Sequence, residues 1–112
     1  ESGVRISQQF ANESYAVYAP EVLRLSSGFY RMYYSGWSCD PRYGRIFSAT
    51  SADGIKWTKT LGVCLDIGGR LQEKKVSEPS VVQLSDNSYD MYYEASDQFD
   101  RWRIFRAQSK TA

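Results

Sequence analysis

Acidic residues and large aromatic rings recur together along this chain. Glu78 stands just before Pro79, Glu94 follows Tyr93, and Asp97 precedes Trp102. In the first half, Glu21 follows Pro20, and Tyr34, Trp37 and Asp40 fall within one short stretch. Carboxylates accept hydrogen bonds from hydroxyl groups, and aromatic faces cover the C–H faces of a sugar ring. Two carboxyls at a suitable separation can also carry out acid–base hydrolysis. The pattern therefore points to a carbohydrate ligand, with Glu21, Tyr34, Trp37, Asp40, Tyr93, Glu94, Asp97 and Trp102 as candidate contacts. Each residue also has a plainer use. Glu78 can bond a neighbouring backbone N–H, Glu94 and Asp97 can be rim charges, and either tryptophan can be packing.

Other chemistries are excluded or disfavoured. With no histidine, a Ser-His-Asp or Cys-His site cannot form within one chain. Cys39 and Cys64 are too few for a zinc site, and they read as small buried hydrophobes ahead of a disulfide. No metal or cofactor is expected. The net charge is +1 with interleaved signs, so no basic stripe for nucleic acid is present. No apolar run is long enough to span a bilayer.

The elements that position these residues follow from a repeat. Tyr30-Arg31-Met32-Tyr33-Tyr34 recurs as Tyr89-Asp90-Met91-Tyr92-Tyr93, about 59 residues later. Upstream, the proline-entered strand Val17–Leu25 matches Val76–Leu84. Downstream, the Arg45–Thr50 strand matches Trp102–Ser109, both carrying Arg-Ile-Phe. Ser51-Ala52-Asp53-Gly54 is a tight turn, and Ile55–Leu65 is expected to be a fourth strand. Gly3–Ile6 is a short extended signal aligned with Gly62–Leu65. No helical period occurs. Tyr33, Tyr92, Met32 and Met91 read as inter-blade packing, and Asp53, Gly54 and Trp57 as structural.

These features predict an all-β chain made of β-propeller blades. Residues 1–112 form a single unit of two four-stranded antiparallel repeats, about 3–61 and about 62–112, with the N-terminal strand expected to complete another blade. Two blades cannot close a ring, since propellers need roughly four to eight. The expectation is that identical chains close the ring as a homo-oligomer, the alternative being a fragment of a longer propeller. Tight turns gather at one end of each blade. The long loops gather at the other, which is the expected functional face.

The stretches Ala19-Pro20-Glu21-Val22, Gly28–Gly36 and Arg45–Trp57, and their second copies, resemble blades of the five-bladed propeller glycosidases. These are the arabinanase, xylosidase, levansucrase and invertase superfamily, glycoside hydrolase families 32, 43, 62 and 68, with the related mannoside phosphorylases. The resemblance implies a glycoside-hydrolase-like, carbohydrate-binding protein acting through a composite central funnel. It implies that Glu78 is the general acid. The family also carries a base or nucleophile Asp and a supporting Asp in other blades. The first repeat departs from this pattern, with Ala19 at the position of Glu78. That departure keeps open a non-catalytic, lectin-like or structural module.

Overall fold

The computed structural model describes residues 3–39, 41, 43–68 and 74–112. A 3-10 turn at Ala11–Glu13 precedes seven strands: β1 (Ala16–Arg24), β2 (Tyr30–Trp37), β3 (Gly44–Ser51), β4 (Thr58–Lys59), β5 (Lys75–Gln83), β6 (Tyr89–Ser96) and β7 (Trp102–Ser109). Antiparallel pairing joins β1 to β2, β2 to β3 and β3 to β4, and separately β5 to β6 and β6 to β7. Among the described residues, one parallel pair, Gly44 with Lys75, joins the two groups in the sheet. The chain is therefore all-β and forms two propeller blades side by side, as the repeat predicts. Among the described residues, no helix is long and apolar enough to cross a membrane.

Strand alternation sets the packing. Tyr33 and Ile46 leave the first blade on one face and meet Val76, Val81, Met91 and Ala95 of the second, forming the inter-blade core. Met32, Tyr34, Phe47 and Ala49 occupy the opposite face of the first blade, where Ile6, Val17, Trp57 and Val63 pack on them. The repeat-related ring pairs stack alike. Tyr34 lies 5.7 Å from Phe47 and Tyr93 5.9 Å from Phe105, both at 21°.

The edges depart from expectation. The predicted strand over 55–65 is a regular ladder only at Thr58–Lys59. Beyond it the chain still bonds β3, through Cys64 N–H to the Ile46 carbonyl (2.8 Å), but Gly62 at φ +86° breaks the pleat between. The Asp53 turn holds as read, since Oδ1 accepts the N–H groups of Ile55 and Lys56 and Trp57 donates to the Gly54 carbonyl. Residues 3–10 form no strand, and Ile6 packs on the chain's own first blade. Both cysteines are free and exposed, against the buried expectation. Cys39 lies in the β2–β3 loop and Cys64 on the irregular edge beyond Gly62, where partial burial pushes its thiol above the ordinary value.

Candidate functional site

Each blade begins with the same local distortion. In β1 the register with β2 breaks between Tyr18 and Glu21, and in β5 the register with β6 breaks between Ser77 and Ser80. The residue ahead of each proline has positive φ: Ala19 at 52° and Glu78 at 53°. A side chain at positive φ ahead of proline is strained, and a bulge re-aims whatever it carries. Two contacts hold the second bulge. The Glu78 N–H donates to Ser35 Oγ of the first blade at 2.7 Å, and Pro79 is buried behind it. The Glu78 side chain is thereby left exposed at the blade junction.

A cleft of about 380 Å³ opens there, shared by both blades. The first blade lines it with Tyr15, Tyr18 and Trp37, the second with Ser77, Glu78, Glu94 and Trp102. Tyr15 stacks on Trp37 with centroids 6.2 Å apart, and Tyr18 meets the same indole edge-on at 5.8 Å. Lys75 Nζ lies 4.8 Å from the Trp37 ring and 5.9 Å from that of Trp102, tying the aromatic residues of the two blades together.

The acids act as a pair. Ser77 faces Glu94 across the β5–β6 ladder, which brings the Glu78 carboxylate to Glu94. Burial, then a hydrogen bond to Glu78 and its charge, push the Glu94 carboxyl above its ordinary value. Burial likewise raises the Tyr18 hydroxyl. A hydrogen bond with Ser77 opposes this, and the charges of Glu78 and Glu94 add to it. Tyr18 is therefore a neutral phenol beside the acids.

Of the residues singled out from sequence, Glu78, Glu94, Trp37 and Trp102 converge on this cleft. Tyr93 stacks on Phe105 and borders an adjoining hollow of about 240 Å³ with Glu78 and Glu94. Glu21 lies past the first bulge, opposite Tyr33 and outside the cleft lining. Tyr34 points into the first blade, only 2% exposed, and donates to Glu13 Oε1 at 3.2 Å. Asp40 lies outside the described residues. Among those residues, no cluster of acids or cysteines could hold a metal.

Asp97 is buried under the β6–β7 loop. It accepts the N–H groups of Phe99 (2.8 Å) and Arg101 (3.1 Å) and the Arg101 guanidinium (2.7 Å). Burial alone would raise its pKa, but these donors hold it down to about 2. Because the folded value is depressed, its stabilisation is complete above the unfolded value of about 3.9 and disappears as pH falls through about 2. In thermal melts from pH 7 to pH 2, wild type should exceed Asp97→Asn at neutral pH, and the gap should close below pH ~4. A constant gap would remove the loop-tying role.

Tyr15, Tyr18, Lys75 and Ser77 line or brace the cleft without having been singled out. The repeat held one signal for two of them. Tyr18 and Ser77 occupy the same place, one residue ahead of each strained bulge position.

Comparisons with protein-family profiles and with curated proteins find no match. Solved structures do match. A glycosyl hydrolase from Bacteroides ovatus aligns with 85% of this chain at TM-score 0.73 and 20% identity. A family 117 glycoside hydrolase from Zobellia galactanivorans aligns with 95% at TM-score 0.76 and 16% identity. A third, from the family 130 of mannoside phosphorylases that contains hydrolases of β-1,2 mannosidic linkages, aligns with 85% at TM-score 0.73 and 20% identity. The chain spans only 29–38% of these three proteins' lengths. At such identities the likeness is one of architecture: this chain has the fold of two adjacent blades of a glycoside-hydrolase propeller.

Proposed function

We propose that the chain is a carbohydrate-binding, glycosidase-like propeller unit whose cleft is one sector of a composite central funnel. The observation that carries this is the Glu78–Glu94 carboxyl pair set among Tyr18, Trp37 and Trp102 at the blade junction. In this reading Trp37 and Trp102 stack on the sugar, Tyr18 and Ser77 bond its hydroxyls, and Glu78 donates the proton to the leaving oxygen. Glu94 lies against Glu78, closer than the roughly 5–9.5 Å that separates the two working carboxyls of a glycosidase. It is thus a proton partner, and the second working carboxylate belongs to a different blade. The finer placement among families 32, 43, 62 and 68 is part of the same proposal. The family 130 and family 117 neighbours widen the field.

Further blades would complete the funnel, supplied by identical chains or by more of a longer protein. The bare face of the second blade supports this. Leu23 and Ile46 pack in the inter-blade core with buried Tyr33, whereas their repeat counterparts Val82, Tyr92 and Ile104 are 45%, 44% and 72% exposed. If identical chains close the ring, light scattering gives two or three times the chain mass of 12.8 kDa. A persistent 12.8 kDa species rules that closure out.

Ala19 favours a second reading, a lectin-like module without turnover, because the first bulge carries no acid. A glycan array that includes β-1,2-linked mannosides, together with aryl glycosides, separates the two. Binding with hydrolysis supports the first reading and binding alone the second. Neither result would leave both without support.

A further inference from the structure

A single row of residues crosses the joint between the blades. Trp37 on β2 faces Gly44 on β3, Gly44 pairs with Lys75 on β5, Lys75 faces Ser96 on β6, and Ser96 faces Trp102 on β7. Directly opposed residues on neighbouring strands share a face of the sheet, so these side chains can meet over the joint. In chemical terms the row reads indole, small residue, cation, small residue, indole. This order comes from an exchange between the repeats. The pair Gly36–Arg45 in the first blade corresponds to Ala95–Arg103 in the second, so Trp37 corresponds to Ser96 and Gly44 to Trp102. The large residue therefore stands on β2 in one blade and on β7 in the other, each time one small residue away from Lys75.

The small residues let the rings lie inward. A Cβ added at Gly44 would come within 2.7 Å of Trp37 Nε1 and 3.0 Å of its Cδ1, so this indole lies directly against residue 44. Ser96 is fully buried. Both indoles end at one ammonium, with Lys75 Nζ 4.8 Å from the Trp37 ring and 5.9 Å from that of Trp102. A half-desolvated cation attracts the faces of such rings. Lys75 is not part of the framework common to the blades. Ala16 pairs with Trp37 as Lys75 pairs with Ser96, so the first repeat carries alanine at this place. Tyr15 and Tyr18 also support Trp37. Among the described residues, Trp102 has no ring contact besides Lys75 and is 45% exposed, so it depends on the ammonium most.

We propose that Lys75 is a positioning residue for the aromatic wall of the cleft: its ammonium fixes the Trp37 and Trp102 indoles across the blade joint in the arrangement that a sugar meets. The inference rests on the sugar reading of the cleft. Rings that are ordered before the ligand arrives take an ordering cost out of binding, so a residue that touches no ligand still raises affinity. The one cation serves both blades at once, which ties the geometry of the wall to the joint between them.

The test is a calorimetric titration of the full chain with the strongest glycan from an array. Lys75→Met keeps the apolar stem and loses the charge, and it should weaken the glycan about fivefold or more. Lys75→Arg keeps a cation over the rings and should restore most of the affinity. In a Trp102→Ala background the Lys75→Met exchange should cost clearly less, because one of the two rings it orders is gone. Affinity unchanged by Lys75→Met overturns the positioning role and leaves the sugar reading in place. An equal cost in both backgrounds also overturns it, since Lys75 would then touch the sugar directly. A wild-type protein that binds no glycan removes the sugar reading and this inference together.

Discussion

Under the proposed hydrolytic reading, Glu78→Gln should lower glycoside turnover by about a hundred- to ten-thousandfold, the span that a positioned general acid contributes, and should leave sugar binding nearly unchanged. The amide keeps the shape and the strained backbone of the bulge, with the N–H still bonded to Ser35 Oγ, but it cannot release a proton. Initial rates on aryl glycosides and a parallel binding titration separate the two effects. Turnover equal to wild type removes Glu78 from the chemistry. Equal loss of rate and binding makes it a contact residue only. Glu94→Gln should act more weakly, by changing the pH dependence of the rate. Its carboxyl, raised by burial and by Glu78, lies beside the proposed donor and not at the proposed leaving group.

The second large effect lies away from the cleft. Glu13 is fully buried, and it is held by Lys59, whose side chain is only 7% exposed, by Tyr34 Oη and by the Gln9 N–H. Lys59 also donates to the Ser7 carbonyl at 2.5 Å and lies 5.3 Å from the Phe10 ring, so this one ion pair straps residues 7–13 onto the first blade. Removing one partner leaves a buried charge uncompensated. Glu13→Gln should therefore cost about 3–5 kcal/mol and lower Tm by more than about 10 °C. Replacing both partners, as Glu13→Gln with Lys59→Met, should recover part of the loss, because neither charge is then left buried without its counter-ion. A single variant within about 0.5 kcal/mol of wild type in urea melts would contradict the strap.

The duplicated tyrosine strand, the proline-entered strand and the Arg-Ile-Phe strand each carry enough local pattern to be placed from sequence, and together they specify two blades. The edges are less legible. The broken ladder around Gly62 depends on a positive φ that glycine permits but does not require. Glu13 sits in a polar stretch with no sign of burial, and its partner Lys59 is 46 residues away. Tyr34 illustrates the same limit. Its position at the end of a strand suggests a ligand platform, yet alternation places it with Met32 on the face that packs, and Glu13 fixes its hydroxyl there. Asp97 with Arg101 four residues on is a turn-closing arrangement as well as a candidate contact, and the burial that separates these uses appears only in three dimensions.

The carboxyl pair shows the opposite case. Glu78 and Glu94 stand 16 residues apart on neighbouring strands, and the one-residue bulge at Glu78-Pro79 brings them together. The same bulge in the first blade presents Ala19, so one backbone device yields an acidic site in one repeat and an empty position in the other. The strain is common to both blades. The chemistry is not.

The central claim is that a sugar binds between the blades at Glu78, Glu94 and the two tryptophans. Calorimetric titration of the full chain with the strongest glycan from an array, compared with the Trp102→Ala variant, tests it most directly. Trp102 is 45% exposed at the cleft, so its loss spares the core. Saturable binding that weakens about tenfold or more in Trp102→Ala is the predicted result. A glycan bound with equal affinity by both proteins, or no glycan bound at all, would contradict it.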